Sequence, residues 1–200
     1  MTSPESSSAD EGASRGGDLR DELRAATGIT ILTGGQTGVD TLAAQAALSS
    51  GLPVHVVFPR GFGQEDGPLT AERRAVLHGA VLHELASSGF AQRTWTCVSL
   101  ADAVLLLDPA GGDGCQETIR AAGRLERPLL DLTPSLTGIG GPAGTGDAGS
   151  AVRTFLRENG TQVLMIAGCR GTLLASHADD QIAEARALLD DVAAALAPRR

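Results

Sequence analysis

The stretch ITILTGGQTGVD, residues 29–40, concentrates the residues best suited to holding a ligand: an apolar run, paired glycines, then Gln36, Thr37, Gly38 and Asp40. Gly34 and Gly35 let a backbone turn sharply and approach a ligand, and a helix starting near Gly38 offers unpaired N–H groups to an anion. Gln36 and Thr37 add neutral donors. The spacing is neither GxGxxG nor GxxxxGK(S/T), so neither the dinucleotide nor the triphosphate fingerprint applies. A second glycine turn, Asp108-Pro109-Ala110-Gly111-Gly112-Asp113-Gly114, also follows an apolar run and precedes Cys115, Gln116, Glu117 and Thr118. Were the two runs neighbouring strands, both turns would face one crevice beyond their carboxyl ends, where open α/β sheets bind ligands.

The elements that must position these turns follow from periodicity. Short apolar runs at residues 29–32, 53–58, 103–107, 129–132 and 163–167 read as strands buried on both faces, with a further short apolar piece at 80–85. Helical spacing separates them near residues 39–50, 70–77, 90–100, 115–125, 151–159 and 179–197. Alternation of this kind predicts a doubly wound, mainly parallel, Rossmann-like α/β sheet in a single domain over residues 21–198. Residues 1–20 are acidic and Ser-rich without apolar periodicity, and are expected to be a disordered tail, with a short helical lead-in at Leu19 and Leu23. Residues 135–150, rich in Gly, Ala and Pro, are expected to be a flexible insertion.

Composition narrows the function. All 16 basic residues are Arg, which excludes chemistry that needs a lysine amine, such as a Schiff base. A net charge of −8 and 2% aromatics oppose nucleic-acid binding, which rests on cations meeting phosphates and on stacking. No apolar run is long enough to span a membrane, and the N-terminal residues lack the pattern of a signal peptide, so the expected setting is the cytoplasm. Cys97, Cys115 and Cys169 have no metal-binding or disulfide spacing. His83-Glu84 does not complete HExxH, because residue 87 is Ser, and His55 lies inside an apolar run; no metal site is expected.

Six blocks occur in series: ITILTGGQTGVD (29–40), PRGFGQEDGP (59–68), FAQRT (90–94), LADAVLLL (100–107), GCQET (114–118) and MIAGCR (165–170). Together they resemble the molybdenum-carrier family of the Rossmann-like SLOG superfamily, to which the cytokinin-activating phosphoribohydrolases are related. The resemblance implies a domain that binds a phosphorylated small molecule, with molybdenum cofactor as the carried ligand, and that associates with itself. It implies a first ligand loop of Gly34, Gly35, Gln36, Thr37, Gly38 and Asp40. It adds Arg60, Glu65 and Asp66, with Arg60 where Lys is usual. Arg93 and Thr94 match the family's RT pair, after Phe90 in place of Tyr. Gly114, Cys115 and Thr118 match its GTxxT, with Cys115 replacing Thr, and Gly111 and Gly112 complete that turn. The phosphoribohydrolases carry PGGxGTxxE, whose Glu assists cleavage of a base–ribose bond. Here Glu117 comes one residue early, which turns a helical side chain by about 100°. That displacement favours a carrier over a hydrolase of nucleoside monophosphates using Glu117 and Arg93; a non-catalytic nucleotide-sensing domain of the same superfamily is the third reading.

Overall fold

The computed structural model describes residues 15–108, 111–134, 148–174 and 179–198. In chain order the elements are α1 (Arg15–Arg24), β1 (Thr30–Thr33), α2 (Val39–Ser49), β2 (Val54–Phe58), β3 (Gly63–Gln64), β4 (Gly67–Pro68), α3 (Ala71–Val76) and β5 (Val81–Glu84). They continue with α4 (Phe90–Leu100), β6 (Ala103–Leu107), α5 (Asp113–Arg124), β7 (Leu129–Asp131), α6 (Ala148–Glu158), β8 (Val163–Gly168), α7 (Gly171–Leu174) and α8 (Asp179–Leu196).

Strands β1, β2 and β6 are buried at every residue because helices cover both faces of the sheet. Successive strand side chains point to opposite faces. Ile31, Val56, Leu105 and Leu164 therefore join one apolar cluster with α2, α6 and α8, while Leu32, Val57, Val104 and Met165 join the other with α1, α4 and α5. The result is the doubly wound α/β sheet expected from the apolar runs. Its six strands are all parallel, in the order β5-β2-β1-β8-β6-β7. Among the described residues, no helix is long and apolar enough to cross a membrane.

Strand order corrects one expectation. The strands before the two glycine turns, β1 and β6, are not neighbours: β8, the last strand in the chain, lies between them and pairs with both. Gly168 explains how tightly β8 fits there, since a Cβ on it would lie 2.2 Å from the Leu107 carbonyl oxygen. The three strands end together, so the crevice has a third wall that spacing did not foretell.

Two boundaries also differ from expectation. Helix α1 begins at Arg15, inside the segment read as a tail, because its Leu23 is buried and Leu19 packs against the same cluster. Arg20 donates to the Ser99 carbonyl at 2.5 Å, and Arg24 pairs with Asp102. Residues 1–14 lie outside the described residues. Helix α6 begins at Ala148, inside the segment read as flexible, because Ala148 is buried and a Cβ on Gly149 would lie 2.9 Å from Ala195 of α8; residues 135–147 lie outside the described residues. His55 is buried on β2 as read from its apolar run. Burial lowers its pKa, the neighbouring His83 adding to the effect, and burial likewise lowers that of His83.

Candidate functional site

A cavity of about 290 Å³ opens beyond the carboxyl ends of β1, β8 and β6. Gln36 and Asp40 enter it from the first glycine turn, Glu65 from the β3–β4 hairpin, and Phe90, Ala91, Arg93 and Thr94 from the start of α4. Asp113, Gly114, Glu117 and Thr118 come from the start of α5, and Met165, Ala167, Gly168 and Arg170 from the end of β8. Helix α5 has no side-chain cap at Gly112, so among the described residues the Asp113 and Gly114 N–H groups at its start stay available to a ligand, while the Cys115 N–H donates to the Gly112 carbonyl at 3.0 Å.

The first glycine loop is less open than its sequence suggests. The Gln36 N–H donates to Asp40 Oδ2 at 3.2 Å and the Thr37 N–H to Glu65 Oε2 at 3.3 Å. The Val39 N–H donates to the Cys169 carbonyl at 3.1 Å. Carboxylates and a carbonyl of the chain itself thus occupy donors expected to meet an anion. The β3–β4 hairpin closes over this loop: Gln64 Nε2 donates to the Gly35 carbonyl and the Glu65 N–H to Gln36 Oε1, each at 2.8 Å. The Thr37 hydroxyl also bonds to Glu65 and accepts from the Gly171 N–H at 3.0 Å.

Charge is concentrated on one buried pair. Arg93 Nη1 lies 3.5 Å from Asp40 Oδ2, with side-chain exposures of 7% and 5%. Burial pushes the Asp40 carboxyl up to about 6, against the opposing pull of Arg93 and of the Gln36 N–H; Glu65 adds a further push upward. The native pKa thus exceeds the ordinary carboxylate value of 3.8. Stability from this group is therefore fully present below pH 4 and is lost as pH rises through about 6. Relative to Asp40→Asn, the wild-type chain is expected to lose about 3 kcal/mol between pH 3 and pH 7. Urea denaturation of both chains across that range checks it; a constant difference would show that Asp40 titrates normally. Among the described residues, Arg93 Nε and Gln36 Nε2 are buried without a hydrogen-bond partner, so two residues lining the cavity keep donor capacity.

Of the residues expected at the site, Gln36, Asp40, Glu65, Arg93, Thr94, Gly114 and Thr118 line the cavity. Thr37 and Gly38 line a second cavity of about 400 Å³ instead, together with Arg73 and Arg186. Gly34 and Gly35 serve packing: a Cβ on Gly34 would fall 1.2 Å from Arg93 Nη1, and one on Gly35, at φ 70°, would fall 2.5 Å from the Phe58 ring. Neither glycine is among the residues that line the cavity. Arg60 is exposed and does not line the cavity, and Asp66 is held outside it in an ion pair with Arg73. Gly112 abuts Leu173, and Gly111, at φ 68°, makes the turn into α5.

The Cys115 side chain packs in the core: it is 1% exposed, and burial, with Asp108 beside it, raises its thiol pKa. Cys169 is likewise buried, and neither thiol lines the cavity. Glu117 lines the cavity with both oxygens engaged, one accepting from Trp95 Nε1 at 2.6 Å and the other paired with Arg120. Sequence reasoning passed over Phe90, Ala91, Asp113, Met165, Ala167, Gly168 and Arg170 as site residues. The signal for the last four was their place at the carboxyl end of a parallel strand. Reading it required knowing that β8 sits between β1 and β6.

The model of the circularly permutated YpsA SLOG family (cpYpsA) matches residues 31–193. No curated protein matches the chain significantly. Among solved structures, a "putative molybdenum carrier protein" from Syntrophus aciditrophicus is 27% identical, with a TM-score of 0.65, over 82% of this chain and 92% of that one. Two structures of AtPrR2, one in apo form and one with NADP+ and (+)pinoresinol, are each 16% identical over 72% of this chain and 49% and 51% of those chains. Their TM-scores are 0.37 and 0.36, too low to support any argument. A family match over most of the chain, on a sheet whose last strand lies beside the first, places the protein: it belongs to the circularly permutated YpsA SLOG family.

Proposed function

We propose that the chain is a binding or carrier protein for a small phosphorylated molecule bearing a flat heterocycle rich in N–H groups. A pterin of the molybdenum-cofactor type is the ligand class it fits best. The observation that carries this reading is the composition of the cavity lined by Arg93. There the buried Arg93 guanidinium, whose Nε has no partner among the described residues, meets Arg170, the start of α5 and four carboxylates, Asp40, Glu65, Asp113 and Glu117. Two guanidiniums against four carboxylates suit a ligand with a single anionic group, not a polyphosphate, because like charges in a partly dry cavity repel strongly. Carboxylates pair well with ring amino and amide N–H groups, and Phe90, 44% exposed, offers a face for stacking. The name of the Syntrophus aciditrophicus relative supports the same ligand class. Both thiols lie away from the cavity, so the chain would grip the organic part of the ligand, leaving the metal to the ligand's own donors. In this reading the protein works in the cytoplasm and associates with itself, without nucleic-acid or membrane partners.

A second reading, hydrolysis of nucleoside monophosphates, is favoured by one observation: a carboxyl titrating near 6 inside the cavity is poised for acid–base work. Against it, Glu117, which aligns nearest to the hydrolase Glu, is held by Trp95 and Arg120. Incubation with nucleoside monophosphates separates the two. We expect no free base, and we expect mass spectrometry of the denatured chain to release a phosphorylated pterin. Base release cut at least a hundredfold by Glu117→Gln or Asp40→Asn would make the protein an enzyme, since general acid–base assistance is worth about 10²–10⁴ in rate.

A further inference from the structure

On the face of the sheet covered by α1, we propose that Glu22, His55 and His83 form a binding site for one divalent transition-metal ion of the zinc type. The site is independent of the cavity beyond the carboxyl ends. In the parallel pairing of β2 with β5, His55 lies opposite Val81 and Val57 opposite His83. The two histidines are therefore diagonal neighbours on the same face. Helix α1 crosses that face, anchored by Leu19 and Leu23, and brings Glu22 over the pair. His55 Nδ1 lies 2.8 Å from His83 Nε2, with ring planes inclined by 8°. One ligand atom from each of the three residues lies within 4.8 Å of the others.

The chemistry of this donor set is selective. Two imidazole nitrogens and one carboxylate suit zinc and its neighbours in the first transition row, with a fourth position left for water. Calcium and magnesium prefer all-oxygen shells and are poorly served here. The facing nitrogens are close enough to share one proton. A tetrahedral ion with Zn–N near 2.0–2.1 Å needs them about 3.3 Å apart, with each lone pair turned roughly 35° off the line between them, so both rings must pivot to admit the ion. The shared proton then moves to the outer nitrogen of its own ring, leaving two lone pairs for the metal. His55 is 6% exposed, His83 is half-buried and Glu22 is exposed, so the ion enters from the Glu22 side. Among the described residues Glu22 forms no ion pair, which leaves its carboxylate for the metal. Three ligands from α1, β2 and β5 would clip the first helix to the edge of the sheet.

The test uses the full chain, stripped with a chelator and titrated with Zn²⁺ by calorimetry, with Co²⁺ as a spectroscopic probe. One equivalent should bind, with a tetrahedral or five-coordinate Co²⁺ spectrum, and Zn²⁺ should raise the melting temperature. Glu22→Gln, at an exposed position, and His83→Gln should each weaken binding at least tenfold and abolish the Zn²⁺-dependent stabilisation. His78→Gln, at an exposed histidine outside the cluster, should change nothing. Absence of stoichiometric Zn²⁺ binding, or binding unchanged within twofold in both Glu22→Gln and His83→Gln, overturns the proposal.

Discussion

Arg93→Met is expected to destabilise the chain by about 3–5 kcal/mol and to abolish stabilisation by a phosphorylated ligand. Methionine keeps the length and much of the apolar contact of arginine, so the loss is chiefly one of charge. It leaves the Asp40 carboxylate, 5% exposed, without the guanidinium 3.5 Å away. Arg93 also holds the Asp40 pKa down against burial; without it the carboxyl takes up a proton nearer neutrality. The double variant Arg93→Met/Asp40→Asn, with no stranded charge, should therefore be more stable than Arg93→Met alone at pH 7. Urea denaturation of wild type, both single variants and the double variant measures the coupling. Strictly additive costs would mean that Arg93 acts through packing and not through its charge. Gly34→Ala approaches the same state from the other side, because its Cβ would displace the guanidinium, which can swing away while the backbone stays. It should lose ligand stabilisation at a smaller cost to the fold.

Gly38→Ala is expected to cost about 3 kcal/mol or more, from overpacking against backbone together with a left-handed conformation. Gly38 has φ 80°, and a Cβ there would lie 2.5 Å from the Cys169 carbonyl oxygen and from the Gly171 nitrogen. Neither atom can move without shifting the end of β8. The hydrogen bonds from Val39 to Cys169 and from Gly171 to Thr37 cross this same contact and would break with it. Gly111→Ala is the control: its φ is 68°, but among the described residues beyond its chain neighbours no atom lies within 4 Å of the added Cβ. It should cost only the backbone strain, about 1–2 kcal/mol. Thermal or urea unfolding of both variants checks the contrast, and equal costs would show that the close approach at Gly38 is relieved by local adjustment.

The class of fold was legible because burial on both faces leaves a mark in the chain itself. Runs such as Val54–Phe58 and Ala103–Leu107 are apolar at almost every position, and helical periodicity between them allowed little besides a parallel sheet covered on both sides. The glycine turns marked the strand ends where a ligand site would form, and Arg93, Thr94, Asp40 and Glu65 were legible through the series of motifs. Which strands are neighbours was not, because a run of buried residues is satisfied by any apolar partner on either side. Only tertiary packing set β8 between β1 and β6, brought Arg170 and Gly168 to the cavity and gave Gly38 its backbone contacts. The partner of each polar group was decided at the same level. Asp40 and Glu65 cap the loop that the glycines seemed to reserve for a ligand, and Cys115 turns into the core. His55 meets His83 although 28 residues separate them in the chain. Hydrogen bonds and ion pairs form between groups that the fold brings within a few ångströms, and local sequence carries no record of that distance.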